Sequence, residues 1–167
     1  DWYKRQGWAT DFLHYGTPAR RIAESIPANR RILLIHNVKT TVEDIATIEK
    51  HFTHGVYWVL CPESNRFISR TEPPVETLRK EGAKIAIGTD SLASARHLSM
   101  VENMRLLGDI PLDELLLCAT LNGAKALGID DRFGSLRIGY APGIVLIENA
   151  DLHNMRITPE TRSRRII

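Results

Sequence analysis

The chain has 167 residues, of which 43% are hydrophobic and 25% charged, and its net charge at neutral pH is +2. That is the composition of an ordinary folded domain with a real core. A near-neutral balance with scattered basic residues, gathered only at Arg162, Arg164 and Arg165, does not imply nucleic acid as a partner. Two cysteines, Cys61 and Cys118, form no disulfide framework and no CxxC pair, which fits free thiols in the cytoplasm. Neither a leader pattern nor an apolar run of bilayer length occurs, so no membrane association is expected. The chain begins at Asp1 rather than methionine, and a segment upstream is expected to have been removed.

Residues 1 to 16 are dense in aromatics (Trp2, Tyr3, Trp8, Phe12, Tyr15), with Phe12 four positions after Trp8, and predict a helix or ordered coil packed on a core, His14 among them. Thr17 before Pro18 is an N-cap followed by proline at the first helical position, and the helix runs to about Ser25. Arg31 to Asn37 then reads as an apolar strand that finishes on His36. Thr41 with Asp44 three residues on resembles a capping box opening a helix to about Phe52.

The unit repeats. Val56 to Leu60 is rich in β-formers and ends in Cys61-Pro62-Glu63-Ser64-Asn65, read as a polar loop. Pro73 and Pro74 open a helix that Gly82 closes. Lys84 to Ser91 is an apolar strand, a glycine, and then Asp90 between two hydroxyl residues. Asp90 is either a carboxylate delivered to the end of a parallel strand or, with Ser91, the N-cap of the next helix. Helices follow at about Leu98 to Leu107, Leu112 to Ala119 and Thr120 to Leu127, the last stopped by Gly128. From Gly134 to Glu148 the pattern becomes two short strands around a glycine-proline turn.

Three βα units in series imply parallel strands with right-handed crossovers, too few to close a barrel, which needs eight strands and about 250 residues. His36, the Cys61 to Asn65 stretch and Asp90 converge at the C-terminal end of that sheet, where sites are built. A histidine with an aspartate suits a divalent metal such as zinc, or a base that activates water; a lone strand-end histidine is also a common structural residue. His51 and His54 lie late in a helix, His97 and His153 have no partner at ligand spacing, and Cys61 reads as a buried thiol rather than a nucleophile.

Leu33-Leu34-Ile35-His36-Asn37, Cys61-Pro62-Glu63-Ser64-Asn65, Gly88-Thr89-Asp90-Ser91 and the run Ala119 to Gly128, in this order, resemble the C-terminal half of the amidohydrolase superfamily over roughly residues 30 to 150. Within it the motifs look most like the deaminase and chlorohydrolase-like branch, whose members act on cytosine, guanine, adenosine derivatives and triazines. The resemblance implies the C-terminal portion of a (β/α)8 TIM-type barrel, strands six to eight with their helices in residues 1–130, and a small β-sandwich segment with its tail in residues 131–167. It implies that His36 contacts the metal-bound water or the substrate. Asp90 would bind the metal, zinc or alternatively iron, and shuttle a proton from water to leaving group, while Ser64 and Asn65 would line the pocket of a small-molecule substrate.

The departures are specific. The family's His-x-His pair and its strand-five histidine with a glutamate three residues later are absent here; Ala95 replaces a polar residue, and Glu63 stands where a basic or amide residue is common. Two functions follow: part of a metal-dependent hydrolase of C–N (or C–Cl) bonds, inactive as an isolated chain, or a non-catalytic truncated scaffold. Either leaves an open sheet edge, so a homo-oligomer or association with the missing N-terminal half is expected.

Overall fold

In the computed structural model, residues 2–8 and 11–167 are described, without the side chains of Tyr3, Phe12 and Leu13, so that part of the aromatic N-terminal expectation lies outside the described residues. Helix α1 (Trp2–Arg5) and a 3-10 turn (Asp11–Tyr15) precede α2 (Pro18–Ser25). Trp2 and Trp8 meet edge to face with centroids 5.0 Å apart and stay more than half exposed, and His14 is also exposed, its ring against Tyr15. These rings pack on one another at the surface rather than into the core.

The three βα units are present. Strand β1 (Ile32–Ile35) leads to α3 (Val42–His51), β2 (Val56–Leu60) to α4 (Pro62–Ser69) and α5 (Val75–Lys80), and β3 (Ile85–Ile87) to α6 (Met100–Leu106). Local chemistry explains the starts. The Thr17 hydroxyl accepts from the Arg20 N–H, and Thr41 and Asp44 form a reciprocal capping box at 3.1 and 3.2 Å. The strands form one parallel sheet in the order β1-β2-β3, with Ile32 opposite Val56 and Trp58 opposite Ile85. Leu34, Trp58, Leu60, Ile85 and Ile87 bury one face of this sheet against Ile45 and Ile48 of α3, Leu78 of α5 and Met104 of α6. Helices α7 (Leu112–Ala119) and α8 (Leu121–Leu127) pack beside β3, and α8 closes on Gly128 at φ +71°.

Three expectations change. The segment from Cys61 is not a loop: Pro62 takes the first turn of a helix, where its missing N–H costs nothing, and Ser64 and Asn65 become helical. Asp90 and Ser91 do not cap a helix, since α6 begins only at Met100 and its cap is Ser99, whose side chain accepts from Glu102 N–H. The Gly134 to Gly143 stretch forms turns, with Gly139 at φ +87°, instead of a strand. Strand β4 (Val145–Glu148) finds its antiparallel partner further on, in β5 (Arg162–Arg165). The arginine-rich tail had no apolar alternation to reveal it.

The segment between β4 and β5 is tied to the helices. Arg105 of α6 donates to the carbonyls of Thr158 and Thr161, and Leu112 N–H donates to Met155 O. No helix among the described residues is long and apolar enough to cross a membrane.

Candidate active site

His36 follows β1 directly, Asp90 lies three residues beyond β3, and the first turn of α4 follows β2, so the parallel register brings all three to one end of the sheet. The backbone there departs from ordinary strand geometry. His36, Asn37 and Asp90 all have positive φ, at 76°, 56° and 60°. For non-glycine residues this conformation is costly and persists where surrounding bonds enforce it. Those bonds are visible. The His36 N–H donates to Val59 O at 2.9 Å, and the Asn37 amide donates to Leu34 O at 2.6 Å and to Val59 O at 3.4 Å, closing the ends of β1 and β2.

The imidazole and the carboxylate face each other, His36 Nε2 lying 3.8 Å from Asp90 Oδ2. Both are partly exposed, at 41% and 30% of their side chains. Beneath them, two consecutive residues of α4 are fully buried. Ser64 donates to Asp90 Oδ2 at 2.6 Å, and Asn65 accepts from His36 Nδ1 at 2.8 Å while donating to His36 O at 3.3 Å. Ser94 adds a second hydroxyl to Asp90 Oδ2 at 3.0 Å. The Ser64 bond first, then the Ser94 bond, hold the Asp90 carboxyl below its ordinary 3.8, with the His36 ring and the Ser91 N–H acting in the same direction. The pair therefore presents an ionised carboxylate and an imidazole to one point at the sheet end.

Around it, Asn103 of α6 is fully buried and accepts from the Glu63 N–H, and Glu63 Oε1 accepts from the Arg96 N–H, so α4, α6 and the loop after Asp90 are stitched together. Beside Ser94 a cleft of about 690 Å³ opens, lined by Glu63, Arg66, Phe67, Leu92 and Arg96, the size of a small-molecule site. Cys61 is buried under the pair with its thiol pushed up to about 11, chiefly by desolvation and then by Asp90, which makes it a packed thiol rather than a nucleophile.

The sequence-predicted residues His36, Ser64, Asn65 and Asp90 are thus all brought together. Asn37, Ser94 and Asn103 were not singled out. For Asn37 a signal existed, since asparagine tolerates the left-handed region beside a strand end; Asn103 reads in sequence as any polar helix residue. The remaining histidines stand apart: His51 Nε2 bonds Ile26 O, and His54 bonds the adjacent Thr53 hydroxyl.

As a place for a divalent metal the site fits in part. An ionised carboxylate beside an imidazole is a suitable donor pair, yet among the described residues no group of three or more His, Cys, Asp or Glu side chains is gathered to hold an ion.

The sequence profile of the amidohydrolase family matches residues 8–164. The 5-methylthioadenosine/S-adenosylhomocysteine deaminase of Teredinibacter turnerae is 30% identical over 146 residues, covering 81% of this chain and 32% of that protein. Among solved structures, a zinc-bound adenosine deaminase from Xanthomonas campestris superposes with a TM-score of 0.64 at 30% identity, over 76% of this chain and 31% of its own. The zinc-complexed atrazine chlorohydrolase of Arthrobacter aurescens gives a TM-score of 0.69 at 25% identity, over 81% of this chain and 32% of its own. The chain spans about a third of the length of the relatives it matches.

Proposed function

The chain belongs to the amidohydrolase family, and on that footing we propose that it carries one part of a metal-dependent hydrolase site that deaminates a nucleobase-like or related amine with an activated water. The observation that carries this reading is the pair His36 Nε2 and Asp90 Oδ2, 3.8 Å apart, held from below by hydroxyls and an amide. The zinc in the Xanthomonas and Arthrobacter relatives supports a zinc ion as the cofactor here, with iron the alternative.

Asp90 is the residue of this chain that would hold the ion. The ion, when bound, lowers the pKa of a coordinated water to about 7 and so supplies hydroxide at neutral pH. Asp90, its carboxyl held below the ordinary value, would accept a proton from water and return it to the leaving amine. His36 orients the water or the substrate from the other side. Ser64 and Asn65, expected to line the substrate pocket, act in this reading through Asp90 and His36. The substrate is a small molecule, as the deaminase relatives' names support. The setting is cytoplasmic. Residues 1–130 form the partial barrel, strands six to eight, and residues 131–167 a β segment appended to it. The further ligands and strands would come from the N-terminal half or from another copy of the chain, a reading that the relatives' greater length supports.

The test is a chimera in which this chain replaces the aligned third of the Xanthomonas deaminase. Deamination with about one zinc per barrel, abolished by Asp90→Asn, is the expected outcome. Undiminished turnover in the Asp90→Asn chimera would rule the reading out. A chimera that folds but binds no zinc and has no activity would favour a scaffold without catalysis.

A further inference from the structure

Asn65 is 1% exposed and touches His36 at two places with its two amide ends. The orientation of that amide is not free. Its Nδ2 faces the His36 carbonyl, which only accepts, so the nitrogen end must lie there and Oδ1 must be the end that meets the ring. An amide oxygen only accepts, so His36 Nδ1 must carry a proton in the 2.8 Å bond. The backbone reinforces this arrangement: His36 at φ +76° turns its own carbonyl toward α4, and Asn37 at φ +56° closes the strand ends that hold it there.

We infer that Asn65 is the positioning residue that sets the tautomer of His36, so that in the neutral ring Nδ1 carries the proton and Nε2, the nitrogen facing Asp90, is left bare. In the neutral ring Nε2 is then an acceptor set 3.8 Å from a second acceptor, Asp90 Oδ2. A bare Nε2 can accept from the water or substrate donor that the hydrolase reading places beside Asp90. Ser64, the preceding residue, holds the other member of the pair, so one turn of α4 fixes both the nitrogen that is bare and the oxygen it faces. The role in turnover rests on the hydrolase reading above; the tautomer does not.

The measurement is two-bond ¹H–¹⁵N correlation on histidine-labelled chain at alkaline pH, with the His36 signals assigned by their loss in His36→Gln. The wild-type ring is expected as Nδ1–H with bare Nε2. Asn65→Leu keeps the volume and removes both bonds, and a bond of ordinary net strength shifts such a tautomer ratio about fivefold, so the ring should return to a mixture. Asn65→Asp retains the accepting oxygen and should retain the Nδ1–H form. A wild-type ring protonated on Nε2 overturns the inference without any variant, which keeps it testable should Asn65→Leu not fold. A folded Asn65→Leu chain whose His36 stays fully Nδ1–H overturns it as well. Since neither metal nor substrate enters the readout, an inactive chimera with the expected tautomer would separate failure of the hydrolase reading from failure of this one.

Discussion

Gly88 sits two residues before Asp90 and its φ is not in the left-handed region, so space rather than backbone freedom explains the glycine. A β-carbon there would lie 3.2 Å from Cys61 Sγ and 3.4 Å from Val59 Cγ1, and the Gly88 N–H is anchored to Leu60 O at 2.9 Å, so the backbone cannot withdraw. Overpacking of this kind costs typically 1–3 kcal/mol, and a single methyl should fall near the bottom, about 1 kcal/mol for Gly88→Ala. Cys61→Ala removes one buried heavy atom and should cost about 1 kcal/mol as a small cavity. In the double variant the new methyl enters the room the sulfur leaves, so the total should be about 1 kcal/mol rather than the sum of about 2, a coupling of about 1 kcal/mol. For a chain of this size each single change lowers Tm by roughly 2–4 °C. Urea unfolding of the four chains closes the cycle. Additivity within about 0.5 kcal/mol would show that the sulfur does not limit the space under Asp90 and would refute the reasoning.

Other outcomes follow from the same geometry. Because its folded value is depressed, the Asp90 carboxylate stabilises the fold above pH 3.8, and that contribution fades as pH falls through the folded value. Ser64→Ala should raise the Asp90 titration midpoint toward its ordinary value more than Ser94→Ala does, as read by carboxyl ¹³C shifts; an equal or reversed order would refute the ranking of the 2.6 and 3.0 Å bonds. With thiols pushed up to about 11 by burial, Cys61 and Cys118 should resist a thiol reagent at pH 8 until the chain unfolds, and rapid labelling of either in the native chain would contradict its packing. Leu78→Ala in α5, at a site with no exposure, should cost about 2–5 kcal/mol by denaturant titration, and a loss under about 1 kcal/mol would mean the helix layer closes over the cavity.

Most of the parallel unit was legible because its signals are local. Thr17-Pro18 and the Thr41–Asp44 box are chemical instructions for a helix start, and Val56 to Leu60 carries side chains that fit a sheet buried on both faces. His36 and Asp90 could be found because a parallel strand delivers the residue after it to a predictable face. What escaped was set by contacts distant in sequence. Whether Ser64 and Asn65 face a substrate or face His36 and Asp90 depends on the direction of the α4 turn, and the stretch read as a polar loop is a helix that Pro62 opens. Ser94 reaches Asp90 only because the loop folds back, Ala95 N–H bonding Ser91 O. The pairing of β5 with β4 joins segments separated by turns, and three arginines in four residues give no periodic apolar cue.

The grip of Arg105 on the carbonyls of Thr158 and Thr161 links the far end of the chain to the sheet end. Arg105 stands two residues from Asn103, Asn103 holds the first turn of α4 through Glu63, and that turn carries Ser64 and Asn65. The tail is thus joined to α6, and α6 to the first turn of α4, by a continuous run of hydrogen bonds and helix. A chain ended before residue 158 would keep every residue of the candidate site and lose both carbonyls that Arg105 holds.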